Sequence, residues 1–193
     1  EFLIRILNRC RDCQVIVVLD ECFIEFLSDS QKYEMTELRQ EYSNLFILKA
    51  FTKIFCMPGL RLGYMIGTDL ELMQKTRKML QPWNVSVVAQ LCGVEALENC
   101  KEYLKETISF LGKEKERMLK AMQGLGNETF AVYGSKANYI FFKGPKGLYE
   151  EALKNRMLIR DCGNYPGLSE GYYRVAVRSR EENERLIAWL RKL

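Results

Sequence analysis

The chain has 193 residues, 48% of them hydrophobic, which is enough to bury a substantial core in one domain or two small ones. Its 29 basic and 25 acidic residues interleave and leave a net charge of only +4, which argues against a nucleic-acid-binding surface. The sequence contains no histidine, so it excludes Ser-His and Cys-His nucleophile pairs and most catalytic zinc sites.

Membrane insertion, export and disulfides are also disfavoured. No apolar run approaches the roughly 18 residues needed to span a bilayer. Charged residues recur from Glu1 to Arg11, where a signal peptide would need an apolar stretch. The seven cysteines are odd in number and scattered, and the lone Cys10-x-x-Cys13 has no second pair to complete a metal site. We therefore predict a cytoplasmic protein that has no disulfides, binds no metal and no nucleic acid, and does not associate with a membrane.

The first part of the chain has the pattern of an α/β domain. The apolar runs Val15–Leu19 and Leu45–Leu48 predict strands buried on both faces of a parallel sheet, and Leu62 to Ile66 predicts a third strand. The other elements predicted here are a helix over 1–9, a polar loop over 27–35, a short helix near 36–41, and a helix capped by Asp69 that runs to about Leu80. Acids and lysines at strand ends suit ligand binding at the carboxyl edge of such a sheet.

Pro82 marks a predicted boundary, so we divide the chain into domains 1–82 and 83–193. Helical periodicity over 86–99 and 101–124 precedes a predicted small α+β domain. Its other elements are strands near 129–133, 138–142, 157–161 and 172–177, a helix near 147–156 and a closing helix from 181.

Three side chains suggest the chemistry. Lys53 stands among apolar neighbours, so we expect a desolvated amine with a depressed pKa, although a surface lysine is the alternative. Asp20 follows an apolar run, where a buried carboxylate needs a cationic partner. Arg61 has a planar fork suited to phosphate. An acid, an amine and a guanidinium suit a cofactor with a basic ring nitrogen, an aldehyde and a phosphate, and pyridoxal 5′-phosphate is that cofactor.

Four segments, in order, resemble the fold-type I pyridoxal-phosphate enzymes, in the branch of threonine-phosphate decarboxylase and histidinol-phosphate aminotransferase. They are Asp20-Glu-Cys-Phe-Ile-Glu-Phe26, Thr52 to Tyr64, Ala137-Asn-Tyr-Ile140, and Tyr173-Arg-Val-Ala-Val177 with Glu181-Glu-Asn183 following. The resemblance implies that residues 1–82 belong to the large cofactor-binding domain, with a mostly parallel sheet flanked by helices, and that the whole enzyme is a homodimer.

The resemblance also assigns roles to individual residues. It implies that Lys53 forms the Schiff base with the cofactor, that Asp20 keeps the ring nitrogen protonated, and that Thr52 and Arg61 bind the phosphate. It further implies that Arg174 binds the α-carboxylate of the substrate. Arg160 is our candidate for a second anion, such as a phosphate on a small amino-acid substrate.

Two substitutions refine the expected activity. Phe23 stands where many aminotransferases carry a tyrosine that donates to the ring's 3-oxygen, and phenylalanine cannot donate. With Met57-Pro-Gly-Leu-Arg61, this looks more like the threonine-phosphate decarboxylases, which serve cobalamin side-chain assembly. Ala50 stands where relatives often carry a phosphate-binding hydroxyl.

Alternatives remain at this point. One is transamination of histidinol phosphate or a related amino acid. Another is an inactive fragment or non-catalytic interaction module, because family members are about twice this long and carry their phosphate loop, ring-stacking aromatic residue and a 3-oxygen asparagine upstream. The chain begins Glu1-Phe2-Leu3 without an initiator methionine, so we expect the C-terminal half of a longer enzyme.

Overall fold

The computed structural model describes residues 1–125 and 130–193. The chain forms two compact units, Glu1–Leu104 and Lys105–Leu193. The domain boundary predicted between residues 82 and 83 is a different division of the chain and stays a prediction. Within the described ranges, no helix is long and apolar enough to cross a membrane.

The first unit has a three-stranded sheet with helices. Its helices and strands are α1 (Phe2–Asp12), β1 (Val17–Asp20), β2 (Leu45–Ala50), α2 (Phe51–Ile54), β3 (Gly63–Ile66), α3 (Leu70–Met79), α4 (Val87–Glu98) and the start of α5 (Cys100–Gln123). The strand order is β1-β2-β3, with β1 parallel and β3 antiparallel to β2. The three predicted strands are therefore present, in a mixed sheet. Because only single helical turns lie between β2 and β3, the chain doubles back beside the strand it has just left.

The first two strands differ in how deeply they are buried. In β2 three consecutive residues, Leu45 to Ile47, are buried, as predicted for a strand covered on both faces. The same prediction for the first strand is wrong, since Val18 is 57% exposed. β1 is the edge strand of this sheet, and only Val17 and Leu19 pack against the core around Leu7 of α1. Alternate side chains along a strand point to opposite faces, so the other side chains of β1 face outward.

Helix starts follow the side-chain caps in the sequence. The carboxylate of Asp69 accepts a hydrogen bond of 3.0 Å from the amide of Leu72, so the predicted cap of α3 is confirmed. The hydroxyl of Ser86 accepts one of 3.1 Å from the amide of Ala89 at the start of α4. These bonds satisfy donors that a helix leaves free at its first turn.

The second unit is an antiparallel sheet covered by helices. It contains most of α5, then β4 (Ala131–Val132), β5 (Tyr139–Lys143), α6 (Leu148–Lys154), β6 (Arg160–Asp161), β7 (Tyr172–Ala176) and α7 (Arg180–Leu190). The strand order is β4-β5-β7-β6. Met118 of α5, Phe142 of β5 and Ile187 of α7 belong to one buried core. The predicted α+β pattern is present here; residue 129, at the start of the strand predicted near 129–133, lies outside the described residues.

A buried polar network joins α5 to α7. The Asn183 amide donates 3.1 Å to the carboxylate of Glu114 and 2.8 Å to the carbonyl of Arg178, and its oxygen accepts 2.9 Å from the Arg178 amide. Arg117 donates 2.8 Å to the same Glu114 oxygen. This guanidinium, ahead of the Asn183 bond, lowers the pKa of Glu114 below its ordinary value.

Candidate active site

The register of the first sheet gathers three predicted site segments at one edge. Asp20, the last residue of β1, is aligned with Leu48 of the parallel strand β2. β2 ends at Ala50 and passes directly into α2, which carries Thr52 and Lys53. The amide of Phe51 donates 3.1 Å to the carbonyl of Leu62, just after Arg61. The carboxyl ends of β1 and β2 thus meet the residues that precede β3.

β3 approaches β2 closely at this edge because Gly63 carries no side chain. A Cβ atom at Gly63 would lie 2.9 Å from the carbonyl oxygen of Lys49, closer than packed atoms normally come. Any larger residue there would push β3 away from β2. The glycine therefore keeps the segment carrying Arg61 against the end of β2.

Asp20 is exposed at the end of β1, so the expectation of a buried carboxylate is wrong. Its position follows from the alternation of β1, in which the side chains of Val17 and Leu19 take the inner face. Hydrogen bonds from the Cys22 thiol and from the Cys22 amide, at 2.9 Å, lower the pKa of Asp20. Burial and the same contact with Asp20 raise the pKa of the Cys22 thiol to about 11. The carboxylate is therefore ionised at neutral pH, as a partner for a ring N–H must be.

Lys53 lies in a single helical turn, and its side chain is exposed, so the expected desolvation is not observed. Phe51 and Ile54 are buried, at 4% and 2% exposure. Residues three apart share one face of a helical turn, so these two side chains point inward and Lys53 between them points outward. Its ammonium lies 5.9 Å from the centroid of the Phe23 ring, and Thr52 is half-buried beside it.

Arg61 closes the turn that precedes β3. It ends the single helical turn Pro58–Leu60 with left-handed angles, φ 52° and ψ 39°. Non-glycine residues seldom adopt these angles, so the local packing imposes them. One guanidinium nitrogen donates 3.2 Å to the carbonyl of Pro58, and the side chain is exposed.

The two other predicted site residues lie in the second unit. Arg160 of β6 and Arg174 of β7 are directly aligned in antiparallel register. Arg174 lies over the Tyr139 ring at 4.7 Å from its centroid. Arg160 lies 5.5 Å from the centroid of Tyr165 and donates 3.0 Å to the side-chain oxygen of Asn164.

A cleft beside these strands is lined by Arg174 together with Ser135, Lys136, Cys162 and Tyr165. Arginine and lysine at its wall make the cleft suitable for an anion. Arg178 was predicted on the same strand face as Arg174, but it lies two residues beyond the end of β7 and pairs with Glu182 at 2.8 Å.

Sequence reasoning missed a buried lysine in the first unit. Lys49 of β2 is 5% exposed, and its ammonium lies 3.1 Å from Glu21, 3.1 Å from Glu25 and 2.9 Å from Glu34. The signal was a lysine inside the apolar run Leu45-Phe-Ile-Leu-Lys-Ala50, since a buried ammonium needs acid partners. We call Lys49, Glu21, Glu25 and Glu34 the Lys49 cluster.

The chain is 35% identical over 191 residues to the threonine-phosphate decarboxylase of Salmonella typhimurium, covering 97% of this chain and 51% of that protein. It is 32% identical over 189 residues to histidinol-phosphate aminotransferase 2 of Archaeoglobus fulgidus, covering 97% and 53%. The crystal structure of the histidinol-phosphate aminotransferase from Clostridium acetobutylicum matches with a TM-score of 0.91 at 29% identity, covering 98% of this chain and 57% of that one.

The predicted α/β fold class is confirmed by this structural match. The chain spans about half the length of the curated relatives it matches. A family model described as aminotransferase class I and II matches residues 1–190, which is nearly the whole chain. The chain therefore belongs to the aminotransferase class I and II family.

Proposed function

We propose that this chain supplies the lysine-bearing part of a pyridoxal-phosphate enzyme, and that the whole enzyme decarboxylates a small phosphorylated amino acid such as threonine phosphate. One observation carries the proposal: the strand register brings Asp20, the helix with Thr52 and Lys53, and the Arg61 turn to a single sheet edge. The donor set fits the cofactor, since it offers an ionised carboxylate, an exposed amine, a hydroxyl and an exposed guanidinium.

Each of these side chains has a distinct task. The Asp20 carboxylate accepts a hydrogen bond from the ring nitrogen and keeps its proton in place. The Lys53 amine would hold the cofactor through its aldehyde, with loss of water, and when free it would move a proton at the substrate's α-carbon. Thr52 and Arg61 bind phosphate oxygens. When bound, the cofactor accepts the electron pair released at that α-carbon.

The second unit supplies the substrate's anion sites in this proposal. Arg174 binds the α-carboxylate, and Arg160 on the adjacent strand binds the substrate phosphate. Like charges directly opposite on neighbouring strands repel, so an anion between or beside the two guanidinium groups relieves an unfavourable pairing. The aromatic faces of Tyr139 and Tyr165 hold both groups in place. The pair of guanidinium groups therefore suits a substrate with two anionic groups.

Decarboxylation is favoured over transamination by two observations. The chain is 35% identical to the Salmonella typhimurium decarboxylase and 32% identical to the Archaeoglobus fulgidus aminotransferase. The aromatic residue beside Lys53 is Phe23, which, unlike a tyrosine, cannot donate a hydrogen bond. The TM-score of 0.91 with an aminotransferase supports transamination of histidinol phosphate as the second candidate. The outcome depends on which bond at the α-carbon lies perpendicular to the cofactor ring, a matter of about an ångström in substrate position.

The same family membership supports two further parts of the proposal. The whole enzyme is a homodimer, and it acts in the cytoplasm. Size-exclusion chromatography with light scattering tests the first part, and fractionation of cells expressing the whole enzyme tests the second.

Covalent trapping tests the cofactor site directly. The 193-residue chain is incubated with pyridoxal phosphate and reduced with borohydride, and the modified lysine is located by peptide mass spectrometry. We expect the adduct on Lys53, and its loss in Lys53→Ala but not in the control Lys78→Ala, another exposed lysine of the first unit. Adducts spread evenly over surface lysines, or none on a folded chain, would contradict the proposal and favour a non-catalytic module.

The reaction itself is tested on substrates. Carbon dioxide released from O-phosphothreonine supports decarboxylation, whereas conversion of histidinol phosphate only in the presence of a keto acid supports transamination. Arg174→Met should weaken phosphothreonine binding by about 10-fold or more, because a charge-assisted, bidentate contact is lost. Arg178→Met, at an exposed arginine just beyond the end of β7, is the control, and an equal loss in both variants would argue against the assignment of Arg174.

A further inference from the structure

The Lys49 cluster places three acids around one buried lysine. Three carboxylates surround one ammonium within 3.1 Å, and Lys49 and Glu21 are 5% and 4% exposed. Burial by itself would lower the pKa of Lys49, but the bonds to Glu34, Glu21 and Glu25 outweigh it and raise that pKa. Lys49 therefore stays charged, and each acid retains its partner.

The three acids come from different points of one irregular segment, residues 21–35. Glu21 follows the end of β1, Glu25 lies in the single turn Ile24–Phe26, and Glu34 follows the turn Ser30–Lys32. Both oxygens of Glu21 have a contact. One lies 3.1 Å from the ammonium of Lys49, and the other accepts a hydrogen bond of 2.9 Å from the amide of Met35. This segment contains single helical turns and no strand, and the cluster attaches it to the sheet at three carboxylates.

Both ends of this attachment adjoin the candidate cofactor residues. Asp20 precedes Glu21, whose own amide donates 3.0 Å to the carbonyl of Leu48. Phe23 lies within the segment, with its ring 5.9 Å from the ammonium of Lys53. Lys49 itself is on β2, four residues before Lys53. One buried cation thus connects the segment that follows Asp20 and carries Phe23 to the strand that leads into Lys53.

We propose that Lys49 is a positioning residue, which holds Asp20 and Phe23 in register with Lys53 by binding the carboxylates of residues 21–35. The inference rests on the proposed function for its chemical purpose, though its geometry is independent of it. Buried ion pairs often add little net stability compared with apolar side chains, so their value lies in specifying one arrangement. Apolar residues in place of the whole cluster would allow folding but would not specify where residues 21–35 lie.

The test compares Lys49→Met with three other variants. Lys49→Arg keeps the charge, Lys32→Met removes an exposed lysine of the same segment, and Leu45→Ala weakens the first unit's core without touching the cluster. The first readout is the pyridoxal phosphate concentration that gives half-maximal trapping on Lys53. We expect it to rise about 10-fold or more in Lys49→Met, because a small misplacement of reacting groups has a large effect. In Lys49→Arg the half-maximal concentration should return most of the way to the native value, and in Lys32→Met it should equal the native value.

The second readout is amide hydrogen exchange at Cys22 and Met35, whose amides are bonded to Asp20 and Glu21. Exchange at both should be faster in Lys49→Met than in Leu45→Ala at equal overall stability. If Lys49→Met does not fold, Glu34→Gln and Glu25→Gln replace it, since these partners are partly exposed and each removes one contact.

The proposal is overturned if Lys49→Met, or the two glutamine variants in its place, leave both readouts at native values. It is also overturned if Leu45→Ala raises the half-maximal concentration equally at matched stability, since the effect would then be loss of fold alone. Failure of the proposed function looks different. In that case the native chain forms no adduct on Lys53, and the exchange at Cys22 and Met35 alone decides whether Lys49 holds the segment.

Discussion

The two units each bury a charged group, and they do so in opposite ways. In the first unit a single cation, Lys49, is surrounded by three carboxylates from a segment with little regular structure. In the second unit a single acid, Glu114, is held by a guanidinium and by the amide of Asn183, between the long helix α5 and the helix α7. Both groups are close to fully buried, at 5% and 6% exposure.

The difference lies in what else holds the connected backbone. α5 and α7 also meet through the apolar core that includes Met118 and Ile187, so their polar network supplements packing. The segment from Glu21 to Met35 has no regular helix or strand, and three of its carboxylates bind Lys49. A buried charge in the first unit therefore controls local structure near the candidate chemistry, whereas the one in the second unit refines helix packing.

The largest expected effect comes from Lys49→Met. Removing one partner of a buried ion pair leaves the other charges unpaired, so the free energy of unfolding should fall by about 3–5 kcal/mol. Urea unfolding followed by circular dichroism measures it. The control Lys32→Met removes an exposed ion pair with Asp29 and should cost less than about 0.5 kcal/mol. Equal losses in the two variants would mean that burial of the Lys49 cluster contributes nothing.

A smaller effect is expected from Asn183→Ala in the second unit. The substitution removes one of the hydrogen bonds to Glu114 and the two that Asn183 makes with the backbone of Arg178, at a cost of about 1–3 kcal/mol. Fluorescence of the buried Trp189 reports this unit once the 96% exposed Trp83 is replaced by phenylalanine. Asn155→Ala, which removes one exposed amide contact, is the control. A loss as large as that of Lys49→Met would remove the contrast between the two units.

The smallest effect depends on pH. The pKa of Glu114 is lowered in the folded chain, so its contribution is present above its ordinary pKa of 4.5 and is lost as the pH falls through the lowered value. Glu114→Gln lacks that titration. The native chain should therefore be more stable than Glu114→Gln at pH 7, by about 1 kcal/mol, and the difference should shrink steadily below pH 4.5. A constant difference from pH 7 to pH 3 would contradict this linkage.

Much of the fold could be predicted from local patterns in the sequence. The apolar run at Leu45–Leu48 became a buried strand, Asp69 became a helix cap, and the alternation of strands and helices after Pro82 became an antiparallel sheet with helices. These features depend on side-chain periodicity and capping, which act within a few residues. The segments carrying Asp20, Lys53, Arg61 and Arg174 were likewise recognisable from residue order.

The exposure of those side chains was less predictable. An apolar run predicts burial, yet it does not say whether a strand has neighbours on one side or two, and Asp20 is exposed at the end of an edge strand. Apolar neighbours around Lys53 suggested desolvation, but a single helical turn directs Phe51 and Ile54 inward and the lysine outward. Register and turn geometry are set by the sheet as a whole, beyond the reach of a local pattern.

The amino-acid sequence by itself determined the α/β character of the first part, the order of the elements, and which residue types are available for chemistry. Only the tertiary structure decided that Asp20, α2 and Arg61 share one sheet edge, that Arg160 and Arg174 are directly opposite, and that Glu21, Glu25 and Glu34 all meet Lys49. The physical reason is the sequence separation over which each interaction acts. Helix caps and periodicity act over a few residues, whereas a buried ammonium binds carboxylates that only the folded backbone brings close to it.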